Sequence, residues 1–210
     1  FSGTKNLLEV CKINKIQKLI QCSSFSIYGN LKSPISENDV PNPRNTYGLS
    51  KLLTENLLKF YSEKYSMKII VLRFDGIYGP KQNLPGFIKM SFKAAKRNNS
   101  INLFNMGKLK RDYIYIDDAV KAINMSMKKI DKIRFKILNI GGGSAISSHS
   151  LVKKIIKICK SSSKILLVKK NNKNFSKDIY MNIKEAKKFL KFKPLNINKN
   201  LIKMYNAEKK

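Results

Sequence analysis

Two short apolar runs separated by one long helical stretch constrain this chain more than any other feature. Lys18-Leu19-Ile20-Gln21-Cys22 is mostly apolar and runs into Ser23 and Ser24. Lys68-Ile69-Ile70-Val71-Leu72-Arg73-Phe74 is rich in β-branched residues and runs into Gly76-Ile77-Tyr78-Gly79-Pro80, a turn by its glycines and proline. Both runs read as buried strands. Between them, residues 33–46 hold Pro34, Pro41 and Pro43 and read as a loop, whereas Tyr47 to Tyr65 has no proline, a single early glycine and many leucines, and reads as a helix. Strand, helix and strand in this order are the unit of an α/β sheet. In open α/β sheets, ligands sit outside the carboxyl ends of the strands, where the first strand delivers Ser24.

The helix begins with Tyr47-Gly48-Leu49-Ser50-Lys51. A Tyr and a Lys four apart share a helix face, one turn from each other. Tyrosine is a poor base at its usual pKa of about 10. A nearby cation and a hydroxyl donor both favour the phenolate, so Tyr47, Lys51 and a hydroxyl from the strand end make a candidate proton relay for a sugar hydroxyl. The plainer reading of Tyr-x-x-x-Lys is ordinary helix surface.

Ser-Ser-x-x-Ile-Tyr-Gly at 23–29, Tyr-x-x-x-Lys at 47–51, and Arg73 followed by Tyr78-Gly79-Pro80 occur in that order. Further on come Gly107, Arg111-Asp112-Tyr113-Ile114-Tyr115-Ile116-Asp117-Asp118 and Asn139-Ile140-Gly141-Gly142-Gly143. In these spaced motifs nearly the whole chain resembles the extended short-chain dehydrogenase/reductase family of nucleotide-sugar epimerases and dehydratases, UDP-glucose 4-epimerase among them. The resemblance implies an α/β fold: part of a Rossmann-type doubly wound parallel sheet with a smaller α/β substrate-binding lobe. Residues 1–84 with 112–142 would form the NAD-binding part, and 85–111 with 143–210 the substrate lobe. Members of the family open with a strand, a Gly-x-x-Gly-x-x-Gly turn and a helix that hold the pyrophosphate of NAD. No such turn precedes Ser23 here, so the chain reads as a piece lacking about the first half of that fold.

The resemblance also implies roles. Tyr47 matches the general acid and base, Lys51 the residue that binds the nicotinamide ribose and steadies the tyrosine's phenolate, and Ser24 the hydroxyl that orients the sugar oxygen. Ser23 and Tyr78 match positions beside the cofactor. Phe25, Ser26 and Gly76 fall where the sugar and diphosphate lie, and Arg111 matches the arginine that clamps the diphosphate. An ion pair of Arg111 with Asp112 or Asp117 is the structural alternative. The family's 4,6-dehydratases carry an acid one or two positions after the catalytic hydroxyl. This chain has Phe25 and Ser26 there, which argues against dehydration. Many epimerases carry Asn at the place of Gly76. The implied activity is 4-epimerisation of a UDP-hexose with NAD, NADP being left open. The alternatives are reduction of a nucleotide-4-keto-sugar or nucleotide-sugar binding without turnover. The same likeness places the protein in carbohydrate metabolism of the kind that builds cell-surface polysaccharide.

The formal charge of +30, from 43 basic and 13 acidic residues, raises nucleic-acid binding as a competing function. Only five of the basic residues are arginine, at 44, 73, 97, 111 and 134. A nucleic-acid binder more often uses the bidentate fork of Arg and stacking aromatics. The lysines instead alternate with apolar residues at helical spacing, as in Leu151-Val152-Lys153-Lys154-Ile155-Ile156-Lys157, so they read as solvated helix faces and no nucleic-acid partner is expected. Lys, Asn and Ile share A/T-rich codons, which accounts for their abundance. No apolar run approaches the roughly 18 residues that span a membrane. Cys11, Cys22 and Cys159 are widely spaced and read as reduced core thiols of a cytoplasmic protein, not a disulfide frame or a metal site. His149 is the only histidine, so no histidine metal site is expected. Leu49, Leu52, Leu53, Leu57, Leu58, Phe60 and Tyr61 cover more than one stripe of their helix, which predicts a second packing partner in a homodimer.

Further elements follow from pattern: helices over 3–14, 85–98, 117–127, 148–159, 182–190 and 196–205, and strands over 101–104, 113–116, 135–140 and 165–168. Asp117 and Asp118 are expected to cap their helix, as is Ser147 or Ser148. Residues 169–177 read as a loop.

Overall fold

The computed structural model describes residues 1–169 and 178–208. In chain order it contains α1 (Ser2–Ile13), β1 (Lys18–Ser24), a short 3-10 turn (Phe25–Tyr28), α2 (Thr46–Tyr65), β2 (Lys68–Phe74), β3 (Ile77–Tyr78) and α3 (Phe87–Lys96). There follow β4 (Ile101–Phe104), β5 (Lys110–Arg111), β6 (Ile114–Tyr115), α4 (Ile116–Lys129), β7 (Phe135–Ile140), β8 (Ile146–Ser147), α5 (Ser148–Cys159), β9 (Ile165–Val168), α6 (Lys184–Leu190) and α7 (Ile197–Ala207). The loop expected over 169–177 lies, beyond its first residue, outside the described residues.

β1, β2 and β7 form a parallel sheet in that order. β2 lies in the middle, so its side chains alternate between two cores. Ile69 and Val71 pack with Leu8 and Cys11 of α1 and with Leu58 and Tyr61 of α2. Ile70 and Leu72 pack on the other face with Ala119 and Ala122 of α4 and with Ala186 and Leu190 of α6. Helices on both faces of a parallel sheet give the doubly wound layering that the strand–helix–strand pattern predicts.

β1 is the exception to its expected burial. Leu19, Ile20 and Gln21 are only half-buried and Cys22 is exposed, because among the described residues β1 pairs on one side only. Only its end, Ser23 and Ser24, is buried. β6 is shorter than its apolar run and pairs with β3. A second core joins α3, α5 and α7 through Ile88, Phe92, Leu151, Ile155, Leu201 and Met204. The lysines of α5 lie off this core, with Lys153 and Lys157 exposed. Residues 183–192, grouped by sequence with the smaller lobe, pack on the β2–β7 face through Ile183, Ala186, Leu190 and Phe192.

Asp117 and Asp118 do not cap α4. Tyr115 is its N-cap, and both acids fall in the first turn, where a helix end favours negative charge. Asp118 is fully buried and accepts from the Leu195 amide and the Asn200 side chain, which tethers the entry to α7. Asp117 pairs with Lys203. α5 is capped as expected, with Ser147 accepting from the Ser150 amide. α6 begins two residues late because the Asn182 side chain accepts from the Lys184 amide and so sits before the first turn.

One buried polar network crosses the sheet. Arg73 of β2 and Glu55 of α2 are each only 3% exposed. Arg73 holds Glu55 through Nη2 at 2.6 Å and through Nε at 3.2 Å to each oxygen. Its Nη1 donates to the Tyr28 hydroxyl at 2.6 Å, and Tyr28 donates to Asn139 of β7 at 2.7 Å. Asn139 in turn donates to the carbonyl oxygen of Ile35, and its own amide donates to Glu37. The loop carrying Ile35 is tied to the chain's far end, with Ile35 bridged to Met181 and the Ser33 hydroxyl donating to the Asp178 carbonyl.

Removing one partner of a buried ion pair leaves the other charge uncompensated and costs roughly 3–5 kcal/mol, whereas replacing both with apolar groups costs far less. Glu55→Gln is therefore expected to destabilise the protein by about that amount, and Glu55→Leu combined with Arg73→Met by less, as read by urea unfolding. A double variant as damaged as the sum of the two singles would show that the pair is not the organising contact.

Candidate active site

Glycine sets the position of Tyr47. At Gly48 an added Cβ would stand 2.4 Å from the Ser26 carbonyl oxygen, so α2 approaches the turn after β1 at a distance that excludes a side chain. Gly29, at φ +60°, lets the loop fold back until an added Cβ would lie 2.0 Å from the Asn42 carbonyl oxygen. Asn45 then caps α2 by accepting from the Gly48 amide at 2.7 Å. Loop and helix start are thereby held against residues 24–29.

Ser24 is buried at the end of β1 and accepts from the Ser26 amide at 3.2 Å, and the two hydroxyls are 3.1 Å apart. Tyr47 is 54% exposed at the first turn of α2. Lys51 lies one turn on, with Nζ 5.8 Å from the centre of the Tyr47 ring and donating to the Cys22 carbonyl oxygen at 3.0 Å. Ser24, Ser26, Tyr47 and Lys51 thus gather at the carboxyl end of β1. Phe25 packs inward on Ile27, Tyr28 and Ile35. Ser23 turns away from this group, and its hydroxyl donates to Glu55 at 2.5 Å. Tyr78 is buried, with its ring against Tyr113 and Tyr115 and its hydroxyl without a hydrogen-bond partner.

Arg111 and Gly76 belong to a second group. Arg111 lines a cavity of about 250 Å³ together with Phe87, Leu103, Phe104, Tyr113 and Ser148. Most of its wall is apolar, and burial pulls the guanidinium's pKa down. The two acids offered as ion-pair partners for Arg111 are otherwise engaged. Asp112 accepts from the Tyr113 and Gly143 amides at 2.9 and 3.0 Å, and Asp117 pairs with Lys203. Gly76 lies between Asp75 and residues 112–113, where an added Cβ would be 3.1 Å from the Asp112 carbonyl oxygen.

Sequence pattern did not single out Glu55 or Asp75. Glu55 follows Lys51 by four residues on the same helix face, and an acid at that spacing facing a strand Arg is the signal that could have found it. Asp75 is an acid in the turn directly after a buried strand. It is 4% exposed, with Oδ1 accepting from the Gly76 amide at 2.8 Å and Oδ2 unpartnered. Burial pushes its pKa up to about 7, with Asp112 adding to the rise. Burial likewise pushes Asp112 up to about 6, against several backbone amides that lower it.

The sequence profile of the NAD dependent epimerase/dehydratase family matches residues 1–141. The chain belongs to this family. A UDP-glucuronate 4-epimerase of Thermodesulfobacterium geofontis is 30% identical over 215 aligned residues, covering 99% of this chain and 64% of that protein. The fold superposes on the UDP-glucose 4-epimerase of Thermotoga maritima, solved with UDP-glucose, with a TM-score of 0.87 at 27% identity, over 99% of this chain and 68% of that one. It superposes on the UDP-glucuronic acid 4-epimerase of Bacillus cereus, solved with NAD, at 0.86 and 28%, over 98% and 66%. These matches confirm a Rossmann-like α/β fold with a parallel sheet. The chain spans about half the length of the curated relatives that it matches.

Two consequences follow. Gly48→Ala is expected to lower stability by about 1–3 kcal/mol, because the Cβ must displace the Ser26 backbone; unchanged denaturant midpoints would contradict the contact. Asp75, with its folded pKa raised, binds a proton that the unfolded chain has already lost between about pH 4 and 7. Stability from this group is therefore present below pH 4 and is lost as pH rises through 7. Asp75→Asn should raise the melting temperature relative to the parent more at pH 8 than at pH 5, and a gap that shrinks with pH would reverse the assignment.

Proposed function

We propose that the protein carrying this chain interconverts a UDP-hexose and its 4-epimer, with NAD as an enzyme-bound oxidant that is restored in each turnover. NAD supplies a reversible acceptor for the hydride at sugar C4. The observation that carries the reading is the gathering of Ser24, Ser26, Tyr47 and Lys51 at one strand end, with no acidic side chain at 25 or 26.

In this reading Tyr47 takes the 4-OH proton and later returns it, and its exposed position at the head of α2 leaves it open to a ligand. Lys51 lies one turn on, with its Nζ 5.8 Å from the centre of the Tyr47 ring. Ser24 orients the sugar oxygen with Ser26 beside it. Arg111 binds the diphosphate at the cavity it lines, where a forked donor matches two phosphate oxygens, and the apolar wall with Phe104 and Tyr113 takes the nucleoside. Lys51 and Tyr47 suit a nicotinamide ribose from one side. Ser23 supports that ground through Glu55, and Tyr78 lies behind Tyr113. Phe25 and Gly76 shape the floor without supplying an acid or an amide. The proposed lobes are 1–84 with 112–142 and 85–111 with 143–210, with 183–192 crossing back onto the first.

The family association also suggests a homodimer. Leu7, Val10 and Ile13 of α1 and Leu49, Leu53 and Phe60 of α2 are exposed, so both helices carry an apolar face beyond the one they bury. Among the described residues, no helix is long and apolar enough to cross a membrane.

The deciding experiment incubates the full-length protein with UDP-hexoses and NAD. Epimer formation without net change in NADH absorbance is expected, and Tyr47→Phe should slow it by about two to four orders of magnitude. Stoichiometric oxidation of NADPH by a 4-keto-sugar would assign a reductase instead, and binding without turnover a non-catalytic protein.

A further inference from the structure

α3 carries a basic face that neither its core contacts nor the cavity at Arg111 uses. Lys89, Lys93, Lys96 and Arg97 recur at helical spacing, beside the buried stripe of Ile88, Phe92 and Ala95. With Lys81, from the turn that follows Tyr78-Gly79-Pro80, they line a groove of about 450 Å³. The Lys89 ammonium donates to the Gln82 carbonyl oxygen, which fastens that turn to α3. Glu208, just beyond α7, also lines the groove. No residue of the groove lines the 250 Å³ cavity.

The groove holds more positive charge than its own acid can answer. Glu208 is the acid among its described lining residues, and Lys96 holds it at 2.9 Å, with Nζ 5.5 Å from the centre of the Tyr205 ring. Lys89 meets a carbonyl oxygen, which carries no net charge. Among the described residues, Lys81, Lys93 and Arg97 have no acidic side chain within ion-pair distance. Lys89 and Lys93 are four apart, a spacing at which like charges repel. The negative end of a helix favours cations in its last turn, which suits Lys93 and Lys96. That field does not account for Lys81 and Lys89, which lie outside the turn. A general wealth of lysine gives exposed helix faces, such as that of Lys153 and Lys157 on α5. It does not by itself bring cations from two segments onto one concave surface.

A ligand that complements this groove is small and multiply anionic. Lys81, Lys89, Lys93 and Arg97 together call for more negative charge than a single phosphate group carries. The fork of Arg97 fits two oxygens of one phosphate, and the ammonium groups serve as point charges for its neighbours. The walls hold no aromatic ring on which a base could stack and no large aliphatic side chain to anchor a peptide. We propose that the groove between α3 and the turn at Lys81 binds a linear oligophosphate, at a site separate from the cavity that Arg111 lines. The site does not depend on which reaction Tyr47 serves.

Calorimetric titration of the full-length protein with inorganic tripolyphosphate tests this. At about 0.1 M salt, where the screening length is about 10 Å, one equivalent should still bind. Lys93→Gln combined with Arg97→Gln should weaken that binding about tenfold or more, because two charge-assisted contacts are lost. The charge-matched Lys153→Gln with Lys157→Gln should weaken it by less than about twofold. Equal losses in the two variants, uptake of several equivalents, or no binding in the parent overturns the proposal. Inorganic phosphate, with its smaller charge, should bind about tenfold more weakly than tripolyphosphate. ATP should bind no more tightly than tripolyphosphate, since nothing in the groove stacks its base. Phosphate binding as well as tripolyphosphate, or ATP binding about tenfold better, overturns the assignment to an oligophosphate. Arg111→Gln should leave the affinity for tripolyphosphate unaltered. Loss of binding in that variant would put the ligand in the Arg111 cavity and overturn the separate site.

Discussion

The Arg73–Glu55 contact is the point on which the remaining geometry depends. Arg73 projects from the central strand and meets α2 through Glu55 and the turn after β1 through Tyr28 at the same time. Glu55 also receives the Ser23 hydroxyl, and Tyr28 passes the connection to Asn139 and the loop at Ile35. A charge buried this deeply is tolerated only when it is paired and hydrogen-bonded, so the network admits few arrangements. Its consequence is indirect but decisive. The strand end bearing Ser24, the helix bearing Tyr47 and Lys51 and the loop between them are tied to one buried guanidinium.

The chain's base composition explains why arginine matters at these places. Among 43 basic residues only five are arginine. Three of them hold positions that a point charge would not serve. Arg73 forks onto Glu55 and reaches Tyr28, Arg134 donates to the Ser62 and Glu63 carbonyl oxygens near the end of α2, and Arg111 lines the cavity. A planar fork satisfies several acceptors at fixed angles, whereas lysine offers a compact, hydrated charge. The lysines of α5 show the other side: they alternate with core residues and face water, as their spacing predicts.

Much of the fold was legible because its signals are local. The prolines of 34–43, the long proline-free run from Tyr47 and the β-branched run at 68–74 mark loop, helix and strand without reference to anything distant. Burial was less legible at β1. An apolar run announces a strand but not how many neighbours it has, and the half-exposed Leu19 and Ile20 reflect pairing on one side. The cap of α4 was misplaced for a related reason. Asp118 has the chemistry of a cap, yet its Oδ2 is taken by Leu195 and Asn200, residues more than seventy positions away, and its Oδ1 by Lys121.

The sequence by itself determined the α/β class, the family, and the one-turn spacing of Tyr47 and Lys51, since the class and the spacing follow from residues adjacent or at helical period and the family from short motifs in a fixed order. Tertiary structure decided the rest. It turned Ser23 inward to Glu55 and left Ser24 with Ser26, it spent Gly48 on a close approach of helix to turn, and it brought Asp75 and Asp112 together from 37 positions apart. A carboxyl's charge state depends on its neighbours and its burial. Neither is written in the run of residues around it.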